Sequence, residues 1–263
     1  MQFVQHATET VTAWVCKHTY VTTGVVAITT AHVLYKLANR KKGLGIIDAP
    51  PNTVVLYQLP RAPFTPSLTP FAVKLETYLR LAKIPYQNDH NTKESSKGKF
   101  PWISYNGEAV ADSQLSIDYL NSKLGIDLNK NLTDAERAQA HAFRVMVDEN
   151  LYWSLVYFRW IYEKCAYSVG LVVPWYIMFM IKKNAKKQLH AQGMGRHTTE
   201  EIKQKMLQDL EALSAQLGNK QYMMGDSPTE VDCSAFAMLS CLVFSFHDDI
   251  TSGIVKGEAY NKH

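Results

Sequence analysis

The chain has 263 residues, a net charge of +4 and 46% hydrophobic content, enough apolar material for one large core or two modest ones. Its aromatic content of 11% with only 20% charged residues excludes an intrinsically disordered chain, and so small a positive charge gives no basis for nucleic-acid binding. The four cysteines, Cys16, Cys165, Cys233 and Cys241, are scattered without a C-x-x-C pair, which offers no zinc site and fits a reducing compartment better than a disulfide framework.

Residues 18–35 contain no Asp, Glu, Lys or Arg and approach the roughly 20 residues that a helix needs to cross a bilayer. Threonines and His32 dilute the apolar content. A basic cluster follows (Lys36, Arg40, Lys41, Lys42), and the positive-inside rule then puts the bulk of the protein in the cytoplasm. A secretory signal wants a basic stretch before a shorter apolar run and a small-residue cleavage site after it, and neither is clear. Residues 1–50 therefore read as a membrane-anchor segment and linker, the alternative being an amphipathic or buried helix.

After Pro50-Pro51, the run Thr53–Leu59 reads as a buried β-strand. A proline-punctuated loop (Pro60, Pro63, Pro66) leads to Thr69-Pro70, which opens a helix with Thr as N-cap and Pro at the first helical position. Phe71, Leu75, Tyr78, Leu79 and Ala82 recur at helical spacing. Ile84–Gln87 reads as a second strand. Asn88–Lys99 is polar and too short for a long helix. Phe100–Tyr105, the Asn106-Gly107 turn and Glu108–Val110 read as a hairpin. A helix over 113–124 ends at Gly125. The order strand, helix, strand, hairpin, helix is that of a thioredoxin-like fold, which places Pro101 where that fold carries a cis-proline. A cis bond there leaves the preceding backbone N–H and C=O free to pair with an extended peptide.

From Thr133 the pattern is helical. Thr133-Asp-Ala-Glu136 is a capping box, and its helix runs into an aromatic band: Tyr152, Trp153, Tyr157, Phe158 and Trp160. This band reads either as core or as the lining of a hydrophobic pocket. Residues 169–181 are uncharged, are interrupted by Pro174, and lead into Lys182, Lys183, Lys186 and Lys187. One reading is a buried helix whose basic C-terminal end complements the helix dipole; the other is contact with an anionic membrane face. Thr229 and Asp232 form a second capping box. His247-Asp248-Asp249 invites a metal reading, but three adjacent residues cannot face one ion on a regular helix. They read as a helix end, and no metal ligand is assigned.

The sequence resembles the glutathione-transferase superfamily, in its failed-axon-connections, cadmium-responsive and metaxin branch. The resemblance is carried in the first half by Pro66–Phe71, Lys74–Arg80, Ile84-Pro-Tyr86, Lys97–Ile103 and Asp112-Ser113. In the second half it is carried by Leu124–Leu132, Gly193–Arg196, Glu200–Ile202 and Tyr222–Gly225. It implies an α+β fold: a thioredoxin-like domain over 51–126, then an all-α transferase-type C-terminal domain over 127–263, preceded by one hydrophobic helix. The family continues beyond His263 into a further aromatic helix, so either a truncated product or the absence of that helix is expected.

The resemblance also implies glutathione as ligand. Phe100 and Pro101 would pair with its cysteinyl part. Asp112 and Ser113, at a helix N-terminus, would take its γ-glutamyl end, although the same residues serve as an ordinary cap. The residue that activates the thiol in Ser- and Cys-type transferases is here Thr69, with Tyr57 as an alternative hydroxyl. Tyr152, Trp153 and Tyr157 are the candidates for a hydrophobic second-substrate pocket. Lys93, Lys97 or Lys99 would have to replace the carboxylate contacts of a helix that the Asn88–Lys99 segment lacks. The expected function is a membrane-tethered protein using glutathione in stress or metal detoxification. The alternative is a non-catalytic adaptor in protein interaction, membrane-associated transport or axon development. The partners expected are glutathione, a hydrophobic electrophile, the membrane through residues 18–35, and a second copy or another protein.

Overall fold

The computed structural model describes residues 47, 49–61, 66–91, 93–162 and 174–245. The expected membrane segment at 18–35 and the His247-Asp248-Asp249 triplet lie outside the described residues. Among the described residues no helix is long and apolar enough to cross a membrane. The chain divides into two compact units, Met1–Gly45 and Ile46–His263, and every described residue belongs to the second.

Four short strands form one mixed sheet in the order β2-β1-β3-β4. The strands are β1 (Val54–Tyr57), β2 (Tyr86–Asp89), β3 (Trp102–Tyr105) and β4 (Glu108–Ala111). β1 and β3 are the inner strands, and β1 runs parallel to β2 and antiparallel to β3; β1 is the more central to the core. It is buried on both faces, which is why it reads as a continuous apolar run and not as an alternating one. The β3–β4 hairpin closes through Asn106 and Gly107, at φ 47° and 86°, the pair of positive values a two-residue turn of this kind demands. The expected strand at 84–87 begins two residues later. Ile84 instead completes the end of the first helix, α1 (Pro70–Leu81): its N–H bonds to Leu79 O at 2.9 Å, after Lys83 at φ 56°.

The period-2 alternation sorts the sheet into two faces. Val54, Leu56, Ile103 and Tyr105 pack under α1 and α2 (Ser113–Leu124), against Leu75, Tyr78, Leu79, Ile117 and Leu120. Val55, Tyr57 and Trp102 form a small cluster on the opposite face, joined by Ile47, Ala49 and Phe100. Tyr57 and Trp102 stack there with ring centroids 3.6 Å apart. Among its described residues the β2–β3 connection carries no helix, and it is anchored by Trp102 Nε1, which donates to Lys93 O at 2.8 Å.

The second half starts with α3 (Asp134–Val145), opened by the reciprocal Thr133–Glu136 capping box. The helix runs on through a π-helical stretch (Met146–Leu151), α4 (Tyr152–Tyr157) and a second π-helical stretch (Phe158–Tyr162). Then come α5 (Trp175–Gln192), α6 (Thr199–Leu217) and α7 (Glu230–Ser245). Val147, Leu151, Leu155, Phe158, Leu189, Ile202, Met206 and Met238 fill the space between them. Asp232 closes its capping box by accepting from Thr229 N–H at 2.8 Å and Thr229 Oγ1 at 2.7 Å, and it also takes Met223 N–H at 2.7 Å. One expectation is overturned. α5 is not a buried helix with a basic end: Trp175, Phe179 and Met180 are exposed, only Ala185 and Leu189 are buried, and the helix runs on past Lys187 to Gln192. Ala185 and Leu189, one turn apart, join the helical core, Ile177, Met178 and Ile181 are half-buried, and the lysines sit in the middle of the helix.

Candidate functional site

The strand register gathers the predicted residues at one end of the sheet. Tyr57 lies opposite Trp102, and Trp102 opposite Ala111. The loop that leads to Thr69, the Phe100-Pro101 dipeptide and the Asp112-Ser113 pair therefore all leave from the same row. The Phe100-Pro101 peptide is cis. Lys97, from the helix-free connection, reaches across to Ala111 O at 3.2 Å, on the residue just before Asp112.

Asp112 holds φ at 93°, a conformation that costs a non-glycine residue energy and persists only where its surroundings impose it. Its carboxylate caps α2, accepting from Gln114 N–H at 2.9 Å and Leu115 N–H at 3.4 Å. Both bonds fall on Oδ1, so the cap does not use the second oxygen. Ser113, the next residue, is buried in the first turn.

Thr69 occupies the N-cap position of α1, but its side chain makes no capping hydrogen bond. The hydroxyl of a threonine at that place ordinarily satisfies an N–H of the first turn; here the first-turn N–H groups of Ala72 and Val73 are taken by Thr69 O, at 3.1 and 3.4 Å. Tyr57, the alternative hydroxyl, packs on the far face of the sheet, where its Oη accepts from Ile47 N–H at 2.8 Å and lies 3.4 Å from Ser104 Oγ.

A cavity of about 50 Å³ opens between the halves, lined by Leu68, Thr69, Tyr152, Val156, Arg159 and Trp160 among others. It admits a few waters and is well below the several hundred Å³ of a small-molecule pocket. Tyr152 lines it and packs on Phe71 at 4.8 Å between ring centroids; burial pushes the Tyr152 phenol up from its ordinary pKa. Trp153 packs edge-on against Tyr152. Tyr157 turns into the helical core, where its Oη pairs with Thr199 Oγ1 at 2.6 Å. Of the three aromatics, then, Tyr152 is the one that lines this cavity with Thr69.

Two buried cations escaped the sequence reading. Arg159 is 3% exposed, and its guanidinium donates to Leu68 O at 2.6 Å and Cys241 O at 3.4 Å. It brings a positive charge to the residue before Thr69. Lys74 is 1% exposed inside α1, and its Nζ donates to Asp148 Oδ2 at 2.6 Å and Gln114 Oε1 at 2.8 Å, tying the first half to the second. In both cases a lone charge interrupts an apolar or aromatic run, and that was the available signal. Among the described residues no group of His, Cys, Asp or Glu is arranged to hold a metal ion.

The architecture has counterparts among known proteins. The chain matches the family model of the glutathione S-transferase N-terminal domain over residues 70–165 and that of the C-terminal domain over residues 206–259. The chain belongs to the glutathione S-transferase superfamily. Within it, Failed axon connections from Drosophila melanogaster is 37% identical over 74% of this chain, and human Metaxin-2 is 22% identical over 72% of this chain and 76% of its own length. The chain spans about half the length of Failed axon connections, 51%. Isoprene-epoxide–glutathione S-transferase from Rhodococcus sp. (strain AD45) is 29% identical over 73% of this chain and 87% of its own length. The fold is shared with glutathione transferase GSTFuA3 from Phanerochaete chrysosporium, at a TM-score of 0.53 and 16% identity over 82% of this chain and 99% of that one. It is also shared with a family member from Pseudomonas fluorescens solved with two glutathione bound, at a TM-score of 0.51 and 18% identity over 81% of this chain and 85% of that one.

Proposed function

We propose that the chain binds glutathione at the end of the sheet and uses it in transferase-type chemistry, on a membrane to which residues 18–35 tether it, in stress or metal detoxification. The observation that carries this reading is the uncommitted Thr69 side chain, which sits at a helix N-terminus without capping it. A thiolate beside Thr69 would accept a hydrogen bond from the hydroxyl and gain from the positive end of the α1 dipole. The Arg159 charge, held 2.6 Å from Leu68 O, adds to the same field. The cysteinyl main chain would run antiparallel to Phe100 beside Pro101, as an added strand. The γ-glutamyl carboxylate would lie at the N-terminus of α2 with Ser113, and its ammonium against the Asp112 oxygen that the cap leaves unused. Lys97, at the rim, is the cation suited to the glycyl carboxylate. The relative named for isoprene epoxide and glutathione supports a small electrophile as second substrate.

A different reading, a non-catalytic adaptor of the failed-axon-connections and metaxin type, is favoured by the 50 Å³ cavity beside Thr69, which is small for a second-substrate pocket. Isothermal titration with glutathione separates the two. Binding in the micromolar to millimolar range, weakened by Ser113→Ala, supports the first reading, and no heat at millimolar glutathione overturns it. Thr69→Val then lowers the conjugation rate more than the affinity; an unchanged rate removes Thr69 from the chemistry and leaves a binding protein.

A further inference from the structure

Helix α5 (Trp175–Gln192) presents one outward stripe with two chemistries along its length. Residues 175, 179, 183, 186, 187 and 190 recur at steps that keep them on one side of a helix, while its buried residues are Ala185 and Leu189. The first part of that stripe is apolar: Trp175 is 72% and Phe179 64% exposed, with Met180 beside them at 60%. The next part is basic: Lys183, Lys186 and Lys187 are all exposed. The helix contains no Asp or Glu. Among the described residues none of its lysines is ion-paired, although salt bridges occur elsewhere on both halves.

Three large exposed apolar side chains on one helical end are a marked patch on a soluble surface. An aromatic end followed by unpaired lysines and no acid is complementary to a surface that is apolar inside and anionic outside. The rise of 1.5 Å per residue puts Lys186 about 10 Å along the axis from Phe179. An interfacial helix lies in the membrane plane with its apolar side sunk roughly 5–10 Å into the headgroup–acyl boundary. Trp is also the side chain that prefers this depth. We propose that α5 is a lipid-docking element: Trp175, Phe179 and Met180 enter the headgroup–acyl boundary of an anionic bilayer, and Lys183, Lys186 and Lys187 meet lipid phosphates. The contact is peripheral. It is independent of glutathione and of any tether at 18–35, and it fixes which side of the helical half faces the lipid.

The test reads Trp175 locally, so that a tether elsewhere in the full chain does not mask it. The full-length protein and its Trp175→Phe variant are mixed with vesicles of phosphatidylcholine and phosphatidylserine in which the phosphatidylcholine acyl chains are brominated. The difference in emission between the two proteins reports Trp175 alone. The expected result is quenching of that difference with the mixed vesicles, none with phosphatidylcholine alone, and reversal by high salt. At about fivefold in partitioning per lysine near an anionic surface, the combined Lys183→Gln, Lys186→Gln, Lys187→Gln variant requires on the order of a hundredfold more lipid for the same quenching. These residues are exposed, so folding is not at issue, and circular dichroism of each variant checks it. Equal quenching of the wild type and Trp175→Phe overturns the proposal. A Trp175 emission that shifts with protein concentration in the absence of lipid overturns it in favour of a second copy covering α5. Binding of an acidic polypeptide such as polyglutamate, with no quenching by vesicles, overturns it in favour of an acidic protein partner.

Discussion

Replacing Lys74 by methionine tests how the two halves are held together. The side chain is 1% exposed and its Nζ lies 2.6 Å from Asp148 Oδ2, whose side chain is itself only 10% exposed. Without Lys74, the closest remaining cation is Arg144, at 3.5 Å and in poorer geometry. Removing one member of a buried pair strands the other charge, at about 3–5 kcal/mol, so Lys74→Met loses roughly that much in urea unfolding. Asp148→Leu alone strands the lysine and costs a similar amount. The double variant strands neither charge and fills the space with hydrocarbon, so it lies within about 1–2 kcal/mol of the wild type. The pair therefore shows a coupling energy of about 3 kcal/mol or more in a double-mutant cycle, provided the denaturant slopes agree among the four proteins. A loss below about 1 kcal/mol for Lys74→Met, or a double variant whose loss equals the sum of the singles, would refute the account of a buried and mutually compensated pair.

Glu76 gives a pH-dependent counterpart. Burial alone would raise its carboxyl, but hydrogen bonds from Arg61, Gln58 and Arg80 outweigh that and bring it from 4.5 to about 2. A depressed carboxyl stabilises the fold above its unfolded value. Glu76→Gln should therefore cost about 2 kcal/mol at pH 7, and its gap to the wild type should close as the pH falls from 4.5 toward 2; a gap that does not vary with pH refutes this. At Asp112, φ of 93° makes Asp112→Gly milder than Asp112→Ala in thermal unfolding, because both lose the cap but only alanine pays for the backbone; the reverse order sinks the argument. Cys233 is fully buried, and its thiol is pushed up to about 12 by that burial, with Asp232 and Glu230 adding to it. It should stay unlabelled by a thiol reagent at pH 8 in the native protein and react once the chain is unfolded, as read by mass spectrometry of its peptide.

The fold was legible wherever local chemistry and tertiary role coincide. Thr133 and Glu136, or Asn106 and Gly107, specify their own turn or cap whatever surrounds them. Pro101 marked the start of β3, and Gly125 at φ 65° the end of α2. Ile84 was misassigned to a strand because a β-branched residue before Pro85 looks extended from sequence, while its actual partner is the helix end behind it. The buried-helix reading of α5 fails for the opposite reason: uncharged runs signal burial only on average, and nothing local to Trp175 or Phe179 says that these side chains stay exposed. For the site, residues tied to a helix start or a strand start were in reach. Arg159, Lys74 and Asp148 were not, because each acts on a partner far along the chain, and periodicity assigns charges to the surface.

The sharing of α1 between two cores sets a limit on recombination. Its Leu75, Tyr78 and Leu79 belong with the sheet, its Val73 with the helical core, and Cys233 of α7 is counted among the residues under the sheet. A crossover in the linker after Gly125, which looks like a seam between two modules, would hand α1 a foreign α7 and leave Lys74 facing a helix without Asp148. The two halves of this chain are therefore not interchangeable parts, and a substitution on one side of the seam constrains which ones the other side accepts.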